Sequence, residues 1–209
     1  MKLTSNSFSE GQKIPGDFSF CIPDPAHHVC LGKNINPHLA WRDAPAGTKS
    51  FVLICHDPDV PSKGDDVNQE GRTVPASLPR VDFFHWVLVD LPATTDAISE
   101  GEFSRDVTPR GKSGPQTAQG CRQGINNYTD WFAGDRDMNG DYYGYDGPCP
   151  PWNDEIIHHY VFTVFALDIE KLPLEGKFGG PEVRGAMQGH ILAQASLTGT
   201  YTLNTSLPA

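Results

Sequence analysis

Three short, nearly continuous apolar runs carry the pattern of the chain: Phe51 to Cys55, Phe83 to Val89, and Tyr160 to Leu167. Each is too short for a helix and rich in β-branched and aromatic side chains, which predicts strands covered on both faces. Each also meets polar groups near one end. The first runs into His56-Asp57-Pro58-Asp59-Val60-Pro61, where two prolines without an N–H predict that the strand stops and Asp57 to Pro61 form a stiff turn. The second is interrupted near its start by His85 and closes on Asp90-Leu91-Pro92. The third opens on His158-His159, and period-two alternation sets His158 and Tyr160 on one face with His159 on the other.

The remaining chain is polar and punctuated. Met1 to Trp41 reads as short strands broken by Gly and Pro, and Ser62 to Pro79 as a polar excursion that leaves the core and returns. Ile98 to Asp141 is irregular yet keeps Phe103, Tyr128, Trp131 and Phe132, so it should pack onto the body. Near the end, Gly180-Pro181 opens a helix that the spacing of Val183, Met187, His190, Ile191 and Gln194 extends from Pro181 to Gln194. A last strand is expected from Ser196 to Leu203.

Length and composition narrow this picture. The 209 residues suit a single domain, 1–209, and 18 Pro with 21 Gly favour a mainly β, turn-rich fold over a helix bundle. A formal net charge of -10, with no basic cluster, disfavours nucleic acid and anionic membrane as partners. No run of eighteen apolar residues predicts a membrane span, and the expected location is the cytoplasm. The five cysteines are odd in number and form no C-x-x-C pair, which predicts reduced thiols.

If neighbouring strands run antiparallel, the end of one lies beside the starts of its partners, and Asp57, Asp59, His85, His158 and Tyr160 share a pocket. Gly147-Pro148, within a rigid Gly- and Pro-rich ledge, would supply a wall and backbone N–H donors. Imidazoles and a phenol donate to a small anion, and affinity would rise as the histidines protonate. Plainer readings stand beside this one: the Asp57 turn can cap its own backbone, and His85 can be a packing residue. A second constellation, Asp135, Asp137, Asn139 and Asp141 with Asp146 at the twelfth position, has the spacing of a calcium loop. The prolines that follow exclude its exit helix, and a plain Asp-Gly turn is the alternative.

Several spaced motifs, in order along nearly the whole chain, resemble the phosphatidylethanolamine-binding protein family, also called Raf-kinase-inhibitor-like proteins, and most closely its bacterial branch. They are Cys30-x-Gly32-x-Asn34-Ile35-x-Pro37-x-Leu39-x-Trp41, Asp57-Pro58-Asp59-x-Pro61, His85-Trp86-Val87, Gly144-Tyr145-x-Gly147-Pro148-Cys149-Pro150-Pro151 and His158-x-Tyr160-Val161-Phe162. The resemblance implies a large central antiparallel sheet with a smaller second sheet and a few peripheral helices. It also implies a shallow pocket for phosphate, a phosphorylated head group or a phosphorylated side chain, at Asp57, Asp59, His85, Gly147, Pro148, His158 and Tyr160. A homodimer is implied as well. One departure stands out: the family has arginine where this chain has His159, which makes any ion pair with a motif carboxylate dependent on pH. The expected function is therefore a non-enzymatic binder of a small anion or phosphorylated ligand, with a regulatory role. The alternatives are a hydrolase using Asp57 and His85 as an acid/base pair, and a regulator stabilised by calcium. No Gly-x-Ser-x-Gly elbow supports the hydrolase.

Overall fold

In the computed structural model, which describes residues 1–208, the three apolar runs become the centre of one sheet. The strands, in chain order, are β1 (Lys2–Thr4), β2 (Cys21–Asp24), β3 (His28–Leu31), β4 (Leu39–Arg42), β5 (Ser50–Pro61) and β6 (Arg80–Pro92). They continue with β7 (Ala97–Ile98), β8 (Gly111–Lys112), β9 (Arg122–Gln123), β10 (Asp141–Tyr142), β11 (His158–Leu167) and β12 (Ile191–Tyr201). Two short α-helices, α1 (Tyr128–Trp131) and α2 (Gly180–Ala186), lie outside the sheets. The main sheet has five strands in the order β12-β11-β5-β6-β9, each pair antiparallel, and β1-β4-β7 form a smaller antiparallel sheet. This is the large-sheet, small-sheet architecture that the apolar runs and the resemblance imply.

Alternation along the central strands sorts the interior into two layers. Phe51, Leu53, Cys55, Trp86, Leu88, Tyr160, Phe162 and Val164 face the larger core, which the smaller sheet and the long loops cover. Val52, Ile54, Phe84, Val87 and Val89 face the opposite side, under Val183 of α2, Met187 just past its end, and Leu172 and Phe178. Central strands buried on both sides read as unbroken apolar sequence, which is why these runs lack a polar stripe.

Three expectations are corrected. First, β5 does not stop at Pro58; it runs to Pro61, because a register shift between Asp57 and Val60 takes Pro58 and Asp59 out of the ladder to β6. A bulge needs no N–H from the residue it expels, so proline is tolerated there. Second, the helix expected over Pro181 to Gln194 ends at Ala186, Gly189 turns the chain at φ 83°, and Ile191 to Gln194 belong to β12. Pairing with β11 from Leu167 outward outweighs a helical spacing already weakened by two glycines. Third, Cys21 and Cys149 form a disulfide, with Cα atoms 4.9 Å apart. The Pro148 carbonyl accepts hydrogen bonds from the N–H groups of Phe20 and Cys21, which brings the two thiols into bonding range. Cys30, Cys55 and Cys121 are free.

Candidate functional site

A cavity of about 280 Å³ opens past the end of the β5–β11 ladder, beside an irregular stretch of the β5–β6 ladder. The β5–β11 ladder ends at the pair Val161–His56, so Asp57 and Tyr160 lie just past its last rung. On β6, Cys55 faces Trp86 while His56 faces Phe84, which leaves His85 as an extra residue in a bulge. Strict alternation from Trp86 would send His85 to the opposite side of the sheet; the bulge turns it toward the cavity instead. Asp57, His85, His158 and Tyr160 all line this one space. The bulge thus brings in His85, while Asp57 follows the alternation of Leu53 and Cys55, and His158 and Tyr160 that of Phe162 and Val164.

The floor is tightly bonded from behind. His85 Nδ1 lies 2.8 Å from the backbone carbonyl of Asp146, which can only accept, so Nδ1 carries the proton and Nε2 is left as a lone pair. Burial holds the His85 pKa below the ordinary imidazole value, against the opposing pull of Asp57 and Asp146. His158 is the opposite case. Its Nδ1 is 2.6 Å from Asp57 Oδ2 and its Nε2 3.1 Å from Asp154 Oδ2, both in the interior. Burial alone would lower its pKa, but these hydrogen bonds and charges outweigh it and raise the value to about 9. His158 is therefore an imidazolium at neutral pH, with both N–H groups committed. Arg80 closes the chain of alternating charge by bonding both oxygens of Asp154, at 2.6 and 3.0 Å. The second Asp57 oxygen accepts the Asp59 N–H at 2.8 Å.

Tyr160 differs from its neighbours in being only loosely bonded. Its buried hydroxyl has no partner at full hydrogen-bond geometry among the described residues; burial, then the charge of the nearby Asp57 carboxylate and a loose contact with it, push its pKa well above the ordinary phenol value. The walls are apolar and aromatic. Tyr128 stacks on Phe20 at 4.5 Å and meets Phe83 and His85 edge-on, while its own hydroxyl donates to the Gly147 carbonyl. Val67, Asn68 and Gly64 from the first polar excursion, and Tyr128, Trp131, Phe132 and Met138 from the second, line the mouth with Pro150 and Pro151. No lysine or arginine lines the cavity.

Other predicted site residues are placed differently. Asp59 does not line the cavity; its Oδ2 accepts from the backbone N–H of His159 and contacts its ring Nδ1 at 2.8 Å, so His159 meets the carboxylate that an arginine there would, as an ion pair only when the imidazole is protonated. Gly147 and Pro148 lie behind the wall. The Gly147 N–H, expected to face a ligand, donates instead to Asn34 Oδ1. The calcium-loop residues do not converge, and no group of three or more metal-ligating side chains occurs among the described residues. Asp135 caps the N–H groups of Asp137 and Met138, exposed Asp141 pairs with Lys177, and Asn139 donates its backbone N–H to Asp135. Asp146 points inward to Asn34, Asn126 and Lys112, where it fixes the segment that holds His85. Asp154 and Arg80 were not singled out by the sequence; nothing in the acid pair Asp154-Glu155 after three prolines announces a partner on another strand.

A family model described as "Phosphatidylethanolamine-binding protein" matches residues 4–202, which takes in every strand of the main sheet and every residue of the floor. The chain belongs to this family. Within the family it is 35% identical over 201 residues to a UPF0098 protein of Aquifex aeolicus, covering 96% of this chain and 88% of that one. It is 34% identical to the UPF0098 protein YbhB of Escherichia coli, covering 97% and 100%. Among solved structures it resembles the PEBP homologue CT736 of Chlamydia trachomatis, with a TM-score of 0.63 and 31% identity over 96% of this chain and 95% of that one. It also resembles E. coli YbcL, described as a member of the mammalian PEBP family, with a TM-score of 0.68 and 28% identity over 96% and 97%. No helix of this PEBP among the described residues is long and apolar enough to cross a membrane.

Proposed function

We propose that this PEBP is a non-enzymatic binding protein that holds a small phosphorylated ligand in the cavity floored by Asp57, His85 and Tyr160. The observation that carries the reading is the buried Tyr160 hydroxyl, which lines a cavity with only a loose contact to Asp57, beside a histidine whose Nε2 is uncommitted. A buried polar group without a partner is costly unless something else supplies one, and a ligand oxygen does so. The family description supports phosphate chemistry as the occupant. The apolar walls suit a ligand whose phosphate is esterified to a small organic group.

A hydrolase built on Asp57 and His85 has less support. The two are not hydrogen-bonded to each other: Asp57 is engaged by His158 and Asp59, and His85 by Asp146. Cys149 is bonded to Cys21 and has no thiol to offer as a nucleophile. The disulfide also bears on location, since such bonds persist in oxidising compartments and argue against the expected cytoplasm. Thiol trapping in intact cells reads this directly. A homodimer, implied by the family resemblance, belongs to the same proposal and is read by sedimentation.

The test is an NMR titration of the histidine side chains with phosphoethanolamine and with inorganic phosphate. Saturable shifts at His85, lost in Tyr160→Phe, support the reading. Absence of any shift at millimolar ligand sinks it, and turnover of ester substrates abolished by His85→Ala would favour the hydrolase.

A further inference from the structure

His85 offers the cavity a lone pair on Nε2 because its Nδ1 is held by the Asp146 carbonyl, and that carbonyl is held in turn. A peptide group turns as one plane, so the partners of its C=O and N–H together decide where it points. The peptide joining Tyr145 to Asp146 is engaged at both ends: Lys112 Nζ donates to the Tyr145 carbonyl, and the Asp146 N–H donates to the His85 carbonyl at 3.0 Å. The next peptide, joining Asp146 to Gly147, carries the oxygen that His85 uses. Its N–H donates to Asn34 Oδ1 at 2.8 Å. Asn34 Nδ2 donates to Asp146 Oδ1 at 2.7 Å, so one side chain grips both the peptide and the carboxylate of the residue that orients His85.

Asn34 is 0% exposed and belongs to the motif Cys30-x-Gly32-x-Asn34, none of whose named residues lines the cavity. Its backbone is secured without help from its side chain: the N–H donates to the Ser19 carbonyl, and the carbonyl accepts from Ser104 Oγ. Its φ of 52° lies in the left-handed region, where glycine is least strained and asparagine is tolerated. Were that conformation the sole requirement, glycine would meet it without burying an amide. Asparagine adds an acceptor and two donors, which go to Gly147, to Asp146 and, at 3.2 Å, to the Asp106 carbonyl.

We propose that Asn34, which does not line the cavity, is a positioning residue of the ligand site: by fixing the Asp146–Gly147 peptide it makes His85 meet a ligand with the Nε2 lone pair rather than with an N–H. This rests on the reading of the cavity as a ligand site. Which nitrogen of a neutral histidine carries the proton is set by the hydrogen bond that the other nitrogen makes. Without the grip of Asn34 the Asp146 carbonyl is free to swing from Nδ1. The ring then carries its proton on Nε2 as well, and an acceptor in the floor becomes a donor. Neither remaining partner of Asp146 replaces the grip. Asn126 reaches its carboxylate, and Lys112 its carboxylate and the preceding carbonyl, but neither bonds the peptide that His85 uses.

Nitrogen-15 NMR of the His85 ring, at about pH 8 where an imidazole is neutral, tests this with no ligand present. In the unmodified protein Nδ1 should read as the hydrogen-bearing nitrogen and Nε2 as the bare one. In Asn34→Gly, which suits the backbone and removes the grip, the two shifts should approach each other by roughly a third or more of their separation as the tautomers mix. A folded Asn34→Gly with the parental shifts, or an unmodified protein with its hydrogen on Nε2, overturns the proposal. Ser104→Ala loosens the Asn34 backbone without removing a bond to Asp146 or Gly147, and should keep the parental shifts. A change as large as that of Asn34→Gly would show that loosening alone suffices, and overturns it too. A second measurement needs no change at Asn34. The Gly147 amide and the His85 Nδ1 proton should be protected from deuterium exchange to within about tenfold of each other, because one peptide carries both bonds. Protection confined to one of them overturns the proposal. Titration with inorganic phosphate is read separately, so a cavity that binds none sinks the ligand reading and leaves the tautomer result standing.

Discussion

Tyr160 and His158 sit two residues apart on one face of β11 and put opposite demands on the protein. The Tyr160 hydroxyl is buried with no well-formed hydrogen bond, so deleting it removes a poorly satisfied group along with its desolvation cost. Tyr160→Phe should therefore leave the unfolding free energy unchanged or raise it by about 1 kcal/mol. The same change should abolish the ligand-induced shift at His85. Urea unfolding and the NMR titration read the two effects separately, and a Tyr160→Phe protein that is less stable by more than that margin would contradict the poorly satisfied hydroxyl. His158 owes its proton to Asp57 and Asp154. Its folded pKa of about 9 exceeds the ordinary value of 6.5, so its stabilisation is complete below about pH 6.5 and is lost as pH rises through about 9. The loss should be on the order of 3 kcal/mol, visible as a lower urea midpoint at about pH 9.5 than at about pH 7. A midpoint that holds across this range would mean that His158 is not held as an imidazolium.

At the scale of elements, the irregular stretches do the positioning. The segment from Tyr145 to Pro148 packs so closely on the chain before β2 that a Cβ at Gly147 would lie 2.0 Å from the Phe18 carbonyl oxygen. Backbone cannot yield as a flexible side chain does, so Gly147→Ala should cost about 2 kcal/mol or more in urea unfolding and loosen His85, which leans on the neighbouring Asp146 carbonyl. A Gly147→Ala protein as stable as the parent would show that this strap is slack. These details also mark what was legible in the sequence. The apolar runs locate β5, β6 and β11, and alternation sets His158 and Tyr160 inward and His159 outward, as found. Bulges break the same rule. His85 faces the cavity because one residue of β6 has no opposite number, whereas Asp57 follows the alternation of Leu53 and Cys55. Period-two reasoning has no symbol for an extra residue, so it left His85 with two readings. Helical spacing misled over Ile191 to Gln194, where β-pairing decides the conformation.

For the molecule as a whole, the least legible contacts join distant segments. Cys21 and Cys149 are 128 residues apart, and neither spacing nor composition pairs them. Both line the cavity, so the bond ties the early strand β2 to the proline ledge at the mouth. Reduction should lower the unfolding free energy by about 2–4 kcal/mol, measured by urea unfolding with and without a thiol reductant. Identical midpoints in both conditions would show that the bond adds nothing to the fold. The Arg80–Asp154–His158–Asp57 chain is long-range in the same sense: it spans β6, the ledge loop, β11 and β5.

The ladder between β5 and β11 stops at Val161 and His56, and beyond it the seam is closed by side chains alone, Asp57 on His158 and Asp59 on the His159 N–H. Asp57 lies on one lip of the seam and Tyr160 on the other. Any molecule gripped by both acts as a rivet through the gap, resisting fraying that the backbone no longer opposes. Occupancy should then be felt well past the cavity, as slower amide exchange running back along β5 and β11 toward the middle of the sheet; exchange unchanged in those strands at saturating phosphate would mean that the two lips are not joined.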